Sequence, residues 1–311
     1  MLAVLWLAAG LAAVALSIAT TVRGETERTA TSSEGLRAHY LAVGAVDRAI
    51  CYMMWGPNAR NEDGSPKYYE KGMARMFMPF PSGFAEVEVV PEFAKFDINH
   101  IEIPDLTRLL VNLGQRPDLA GETAAAIVDW RKPAPEGISA FDQFYLNLTP
   151  SFRARHASFE EIEELLLVKG MTPELYHGGY ARDAQGRLVA TSGLKDCVSV
   201  FGSNGSLDAN FADPAVLATV GVSPAVIPAM LERRRALPFN EARLAQFAEV
   251  AGPGFGRLQV GGGTVFTLRA SARVRLPDGQ LSDLRRDAAA LIKIRTDGVV
   301  PPYTILRWYE N

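Results

Sequence analysis

The sequence is poor in the residues from which catalytic and metal-binding sites are most often built. Its 311 residues include two cysteines and four histidines. The histidines follow no spacing typical of a metal site, and the chain contains neither a nucleophile elbow nor a phosphate-binding loop. These absences indicate a protein that is not an enzyme and requires no cofactor. The four histidines are His39, His100, His156 and His177.

The two cysteines, Cys51 and Cys197, are too few for a disulfide-rich scaffold. They also lie too far apart in the chain to form a local metal motif. If the domain lies outside the cytoplasm, they could form a single bridge, whereas two buried free thiols are the alternative. The sequence leaves these two interpretations open.

Charge is absent from the first 22 residues, Met1 to Val22. As an α-helix this run would be about 33 Å long, enough to cross a bilayer core. We favour a retained membrane helix. The alternatives are a signal peptide cleaved near Ala19, which would lack the usual basic start, and a buried helix of a soluble protein. The anchoring residues are Leu2, Leu5, Trp6, Leu7, Leu11, Val14, Leu16 and Ile18.

The helical pattern continues beyond this run, so that residues 2 to 55 are predicted to form one long helix. Gly56-Pro57 ends it, and the polar stretch from Glu25 to Gly35 is its weakest part. Residues 56 to 83 are rich in Gly, Pro, Asn and Met and are predicted to form a loop. The second half of the helix carries one apolar stripe, formed by Leu36, Tyr40, Val43, Val46, Ile50 and Met53.

Strands are predicted on both sides of a long helical region. Residues 84–89 alternate between Glu and Val, and residues 266–276 alternate between apolar residues and Arg, Ser or Thr. An antiparallel meander with one solvent-exposed face is predicted here. It is completed by a turn at Pro277–Gln280, a strand over about 281–294 and another over 303–309.

The helical region repeats itself. Phe96-Asp97-Ile98-Asn99 precedes a helix, Gly114 and a second helix that ends at Trp130-Arg131. Leu207-Asp208-Ala209-Asn210 likewise precedes a helix, Gly221 and a helix that ends at Arg233-Arg234. A third, partial copy spans residues 159–176. The glycines fit left-handed helix caps and the Asn or Asp residues fit helix starts, so these units resemble helix–hairpin–helix modules.

Helix–hairpin–helix modules often contact nucleic acid, and Arg233-Arg234-Arg235 would be the contact here. The net charge of −3 and the neighbouring Glu232 argue against that use. We therefore expect no nucleic-acid partner, and we keep a membrane-tethered nucleic-acid-binding protein as the alternative function.

The predicted fold class is α+β, with a long N-terminal helix, a small antiparallel sheet and a large inserted all-α domain. Residues 1–22 form the transmembrane half of the helix. Residues 23–97 and 255–311 form the α+β domain, and residues 98–254 form the insertion that splits it in sequence.

Several segments spread over the whole chain match one protein family in combination. Residues 38–49 are similar to an Ala-rich "LAEAGxERA" segment, residues 126–131 to "AIxDWRD" and residues 163–171 to "EELLLVxGM". The other matching segments are 4–6, 95–99, 207–210 and 306–308. The combination resembles the minor pseudopilin K family of type II secretion systems, also called general secretion pathway protein K.

This resemblance implies a pilin-like fold anchored as a single pass in the inner membrane, with most of the chain in the periplasm. It implies a place at the tip of a short pseudopilus, in complex with minor pseudopilins of the I and J type. The major pseudopilin and the inner-membrane secretion platform are the further implied partners, and export of folded proteins across the outer membrane is the implied function. A minor pilin of a type IV pilus, acting in adhesion, is the related alternative.

The chain departs from the family pattern at three places. Members begin with a short basic leader ending in Gly, whereas Met1 opens directly into the apolar run. Either the start has been assigned late, which we favour, or the processing differs. Asp97 and Asp208 stand where the family tends to carry Asn. Some members also bind calcium in an acidic loop that here begins Lys132-Pro133. Asp129, Glu136 and Asp142 remain as calcium ligands by resemblance, and local capping or pairing by Asp129 is the alternative.

Overall fold

A computed structural model of the protein describes residues 1–56, 59–134, 137–182, 185–295, 298 and 300–310. Both strands and helices occur along these residues. In chain order the elements are α1 Leu2–Trp55, β1 Arg75–Phe80, β2 Gly83–Pro91, β3 Phe96–Asp97, α2 Ile103–Asn112, α3 Pro117–Arg131, α4 Asp142–Leu146, α5 Pro173–His177, β4 Gly179–Arg182, β5 Leu188–Thr191, α6 Leu194–Cys197, β6 Val198–Ser199, β7 Leu207–Asp208, α7 Pro214–Thr219, α8 Ile227–Ala236, α9 Glu241–Ala245, β8 Leu258–Gln259, β9 Val265–Val274, β10 Arg286–Ile294 and β11 Tyr303–Glu310.

Helix α1 runs without interruption over the predicted range. The polar stretch from Glu25 to Gly35 remains helical, helped by the ion pairs Arg23–Glu27 and Arg28–Glu25. The helix stops at Gly56 because the chain turns back closely there: a Cβ at this position would lie 1.9 Å from the carbonyl oxygen of Tyr69.

The sheet contains five antiparallel strands in the order β1-β2-β9-β10-β11. Strands β2, β9, β10 and β11 confirm the sequence predictions. Strand β1 was missed because residues 56–83 were predicted to form a loop. Its side chains alternate between exposed and buried, with Met76 and Met78 in the core. The proline at position 79 and the many Met and Gly residues nearby masked that alternation.

The second half of α1 packs on one face of the sheet through small side chains. The helix contributes Ala38, Ala42, Ala45 and Ala49, all fully buried, and the sheet contributes alanines from β2, β9 and β10. Alanine on both sides lets the helix backbone approach the sheet closely. The predicted stripe is therefore wrong at its front end, because Leu36 and Tyr40 point to solvent with 57% and 66% exposure.

A second core lies in the segment between β2 and β9, which forms the inserted domain. The α+β class is confirmed, and the insertion also carries short strands that the sequence did not predict. Strand β3 pairs in parallel with β6, and β7 pairs in parallel with β8. Strands β4 and β5 form a separate antiparallel ribbon. The inserted domain extends from Phe96 to Gln259, slightly beyond the predicted limits 98–254.

Candidate assembly site

The first half of α1 projects away from both cores. No residue before Gly35 is buried, and the structure describes all of them. This exposed part is about 50 Å long, and its apolar portion is long enough to span a bilayer core. The predicted anchoring residues are all exposed: Leu2, Leu5, Trp6, Leu7, Leu11, Val14, Leu16 and Ile18 have between 57% and 75% of their surface accessible. Such a surface requires lipid or partner helices around it.

A second exposed apolar patch lies on α1 beyond the polar stretch from Glu25 to Gly35. Leu36 and Tyr40 are one helical turn apart on the side of α1 that faces away from the sheet. Most isolated exposed apolar residues need no explanation. These two large side chains are adjacent, and they form a small apolar patch on the half of α1 that packs on the sheet.

The inserted domain consists of two copies of one structural unit. We call Phe96–Ser199 unit A and Leu207–Gln259 unit B. In unit A, the Asn99 side chain donates to the Phe159 carbonyl at 3.0 Å and accepts from the Phe159 N–H at 2.7 Å. In unit B, Asn210 makes the same pair of bonds to Phe239, at 3.1 and 2.7 Å. The asparagines of the sequence repeat therefore join the first turn of each unit to its later half.

An arginine at the end of the second helix completes the equivalence. Arg131 donates to the carbonyl oxygens of Ile98 and Ile101. Arg234 donates to the carbonyl oxygens of Ala209 and Ala212, at 3.0 and 2.8 Å. Burial lowers the pKa of both arginines, opposed by nearby carboxylates. Each guanidinium therefore ties a helix end to the turn that opens its own unit.

The glycine positions also correspond. Gly114 and Gly221 both have φ of 96° at the first hairpin, and Gly170 and Gly252 have φ of 85° and 78° at the second. A left-handed backbone is costly for any residue with a Cβ, which explains why glycine stands at all four places. The predicted repeat is thus a structural repeat, and the predicted partial copy at 159–176 is the second half of unit A.

The alternative of a nucleic-acid-binding protein is weakened by this geometry. Arg234, the middle residue of the arginine run, is occupied with backbone carbonyls inside unit B. Only its neighbours Arg233 and Arg235 lie at the surface. The run therefore offers much less positive surface than its sequence implies.

The two units pack against each other side by side. The Asn112 amide at the end of α2 donates to the Thr219 hydroxyl in α7 at 3.0 Å. Arg257 of unit B reaches Asp105 of unit A at 2.8 Å. Helices α2 and α7 lie in contact beneath these bonds, and the two units share one hydrophobic core.

A buried ion pair lies in the short link between β2 and the inserted domain. Glu92, in the short 3-10 turn after β2, lies 3.3 Å from the ammonium of Lys95, and both side chains are almost fully buried. Glu92 also accepts a bond from the Thr267 hydroxyl of β9 at 2.5 Å, which holds this link against the sheet. The inserted domain itself contacts the sheet through an exposed ion pair between Arg307 of β11 and Glu161 of unit A.

The loop after α1 provides a second attachment. Gly72 lies against unit B, since a Cβ there would approach Pro238 at 2.9 Å and Asn210 at 3.1 Å. The neighbouring Tyr69 is buried, and burial raises its pKa, with a further contribution from Asp208. The inserted domain is therefore held next to the end of α1 that is farthest from the membrane-length segment.

Two of the residues named as calcium ligands, Asp129 and Asp142, bond to the same serine. The Asp129 carboxylate accepts from the Ser139 hydroxyl at 2.7 Å, as in the local-pairing alternative. Asp142 is buried and accepts from the Ser139 N–H at 2.8 Å. Glu136 lies outside the described residues. Among the residues that the structure describes, no cluster of three or more His, Cys, Asp or Glu side chains is placed to share an ion.

The two cysteines are free thiols in different cores. Cys51 is half-buried on α1, whereas Cys197 is fully buried in the core of the inserted domain. Burial and the neighbouring Asp213 raise the pKa of the Cys197 thiol. The bridge considered from the sequence is therefore not formed, because each cysteine packs with its own domain.

Sequence reasoning missed the role of Arg131 and Arg234. An alignment of the two repeats could have identified them, because each arginine lies in the last turn of the second helix of its unit. It also missed His156, whose imidazole lies 3.0 Å from the Asp142 carboxylate. No motif in the sequence marks that histidine.

Known proteins are similar to this chain in part of its sequence and in its fold. The family model of type II secretion system (T2SS) protein K matches residues 94–178, which include most of unit A. The type II secretion system protein K of Klebsiella pneumoniae is 28% identical over 171 residues, covering 48% of this chain and 50% of that protein. The chain thus matches about half the length of this curated relative.

A solved structure covers more of the chain. One chain of the crystal structure of the GspK-GspI-GspJ complex from the enterotoxigenic Escherichia coli type 2 secretion system matches 91% of this chain, with 99% of its own length covered. The TM-score is 0.56 and the sequence identity 17%. At this identity the likeness concerns the fold, which combines a long first helix, a small sheet and a helical domain.

Proposed function

We propose that this chain, which is similar to type II secretion system protein K over residues 94–178 and to one chain of a GspK-GspI-GspJ complex in its fold, acts as a minor pseudopilin in the export of folded proteins across the outer membrane. The observation that carries this proposal is the division of α1 into a buried half and a fully exposed apolar half. An exposed helix of this length is a docking element for lipid and for other helices. The proposed mechanism is therefore recognition rather than catalysis.

The proposed location is the inner membrane, with a single pass and the rest of the chain in the periplasm. In the bilayer, the small residues Ala8, Gly10, Ala12 and Ala13 would let partner helices approach closely. During assembly the same helix would leave the lipid and pack among the helices of the growing filament. Platform proteins of the inner membrane and the major pseudopilin would then be its partners on the membrane side.

The inserted domain supports a place at the tip of the pseudopilus. It contacts the sheet through the Glu161–Arg307 ion pair and the loop beyond the end of α1 through Gly72. A subunit stacked above would have to occupy the volume that units A and B already fill. Minor pseudopilins of the I and J type would therefore pack beside α1 and on the membrane side of the inserted domain.

Co-purification tests the proposal directly. The full chain, solubilised in detergent, should form a stable complex with I- and J-type minor pseudopilins at micromolar concentration. Changing Leu36 and Tyr40 together to Asp should weaken the complex at least tenfold, because both side chains lie on the docking side of α1.

Phe77→Asp is the matched control. Phe77 is 63% exposed on β1, away from α1, and its replacement should leave the complex intact. Absence of any complex for the wild-type chain would contradict the proposal. Equal loss in both variants would show that exposed apolar residues in general, rather than the face of α1, determine assembly.

A further inference from the structure

An open cleft of about 1050 Å³ separates the inserted domain from the outer face of the sheet, the face turned away from α1. One wall includes Thr267, Arg269 and Ser271, which alternate along β9 with residues buried against α1. The opposite wall is formed by residues 160–163 and by residues between 195 and 201 of the inserted domain. The two domains have separate hydrophobic cores, so relative motion between them is the default expectation.

Two short segments connect the inserted domain to the sheet, residues 92–95 after β2 and residues 260–264 before β9. They lie against each other, since a Cβ on Gly263 would approach the Cβ of Phe93 at 2.5 Å. Gly262 has a φ of 110°, in a backbone region that glycine enters more readily than other residues. Two adjacent crossings with glycines at this place have the features of a hinge.

The inserted domain meets the rest of the chain on both sides of this hinge. Unit A borders the cleft on the outer face of the sheet, whereas unit B meets the loop after α1 at Gly72. That loop lies on the α1 side, because Tyr69 belongs to the core between α1 and the sheet. Units A and B share one core and move as one body. A rotation that closes the cleft therefore separates unit B from the loop.

The available space allows this rotation in one direction. On the loop side, a Cβ on Gly72 would lie 2.9 Å from the Cβ of Pro238, closer than the usual contact between carbon atoms. Unit B therefore already touches the loop and moves no further toward it. On the opposite side, the cleft of about 1050 Å³ is open between the walls. The structure is thus the open state of the cleft, and the remaining movement is toward the outer face of the sheet.

The charges on the two walls favour closure. Several charged residues are neutralised by ion pairs within their own wall, namely Arg75–Glu86, Arg269–Glu88 and Glu160–Arg155. The sheet wall further contains Arg285, Arg307 and Asp287, and the facing wall contains Glu161, Glu163, Asp196 and Lys195. The first set is net positive and the second net negative, and Arg307 already pairs with Glu161 across the cleft. Bringing the walls together strengthens this attraction.

We infer that the inserted domain is hinged at residues 92–95 and 260–264 and rotates toward the outer face of the sheet. The chain then alternates between the open state and a closed state in which unit B has left Gly72. The rotation changes the angle between the inserted domain and α1, because α1 is fixed to the sheet by its own core. The inference concerns this chain alone and is independent of the proposed assembly function.

Distances between two spin labels, measured by double electron–electron resonance on the full chain in detergent, test the inference. Phe201→Cys and Leu306→Cys place one label on each wall without removing a charge. Cys51→Ser removes the half-buried native thiol, and the fully buried Cys197 does not react with the label. We expect two populations of distances, the shorter one from the closed state. A single narrow population, like that expected for Leu306→Cys with Phe77→Cys on the same sheet, would overturn the inference.

Gly72→Ala, added to the labelled chain, tests the direction of the rotation. Its methyl group would overlap Pro238 in the open state alone, so the ratio of short to long distances should rise about fivefold or more. Gly64→Ala is the matched control, because Gly64 lies in the same loop with a φ of 80° but has open space around a Cβ. An unchanged ratio in a folded Gly72→Ala, or an equal rise in Gly64→Ala, would overturn the inference. The comparison of the two label pairs stands even if Gly72→Ala fails to fold.

Discussion

Unit A and unit B build the same framework from segments of very different length. Both use an asparagine to join the first turn to a later phenylalanine, an arginine to tie the second helix to that turn, and glycines at equivalent hairpins. Unit A is roughly twice as long as unit B. The comparison separates what the fold requires from what has been added to it.

The additions lie at two places in unit A. Residues 132–158 are inserted between Arg131 and Phe159, and the ribbon of β4 and β5 is inserted after α5. The first addition packs on the core of the inserted domain through Tyr145, and His156 bonds to Asp142 within it. The second is exposed on both strands.

Substitution of the two half-buried arginines should have the largest effect on stability. Arg131→Met and Arg234→Met should each lower the free energy of unfolding by about 3 kcal/mol, because two buried carbonyls lose a charged donor. Chemical denaturation of the full chain in detergent would measure this. Arg233→Met and Arg235→Met, at the surface of the same helix, should change stability by about 0.5 kcal/mol or less. A harmless Arg131→Met beside a destabilising Arg234→Met would break the equivalence of the units.

The asparagines should come next. Asn99→Ala and Asn210→Ala each remove two bonds to a phenylalanine backbone, and we expect a loss of about 2 kcal/mol in each case. Asn147→Ala removes an exposed contact with Gln143 and should have almost no effect. The same denaturation experiment serves, and a clearly unequal loss in the two units would show that one asparagine is dispensable.

Substitution of the hairpin glycines should cause a smaller loss of stability. Gly114→Ala and Gly221→Ala should each cost about 1–2 kcal/mol, because both need φ of 96°. The space around a Cβ is sufficient at both positions, so the cost comes from the backbone alone. Gly121→Ala, inside α3 and also with open space, should instead stabilise the protein by about 0.5–1 kcal/mol. Thermal unfolding of the three variants would compare them, and a gain for Gly114→Ala would contradict the shared cap geometry.

The smallest effect concerns the aspartate of unit B and depends on pH. Burial raises the pKa of Asp208 above 3.8, so its ionised form is disfavoured in the folded protein. The wild type should therefore gain stability as the pH falls through the folded pKa, until the pH reaches that of an unfolded Asp. Asp208→Asn keeps an oxygen for the Asn210 N–H and removes the charge. We expect this substitution to raise the free energy of unfolding by about 0.5–1 kcal/mol at pH 7, and we expect the difference from the wild type to disappear near pH 3.5.

Asp97→Asn is the control for that substitution. Asp97 occupies the equivalent place in unit A but pairs with the half-exposed His100 at 2.7 Å. Its replacement should bring no gain at pH 7, because a favourable pair is lost. Denaturation curves at pH 7 and pH 3.5 would show the difference, and a pH-independent gain for Asp208→Asn would contradict the explanation by burial.

Much of this architecture could be predicted from the sequence. The uncharged run, the alternation in β9 and the glycines after each helix are local patterns, and they predicted α1, the main strands and the repeat. The same patterns predicted that a helical insertion splits the α+β domain in sequence. Local patterns also explain the prediction that Asp129 pairs nearby, because Ser139 lies within the same connection.

Other features depend on contacts that no local pattern contains. The buried face of α1 is determined by the close approach of alanines on both sides, which the usual preference for large apolar residues does not anticipate. Strand β1 is visible only once β2 is available to pair with it. His156 reaches Asp142 and α3 only after residues 132–158 have folded back on themselves.

We propose that α1 docks the chain into a pseudopilus while the inserted domain lies beyond its end. Immunogold labelling of assembled pseudopili, with an antibody against the inserted domain, tests this arrangement. We expect gold particles at one end of each filament and none along its length. Labelling distributed along the filaments would contradict it, since the inserted domain would then fit between stacked subunits.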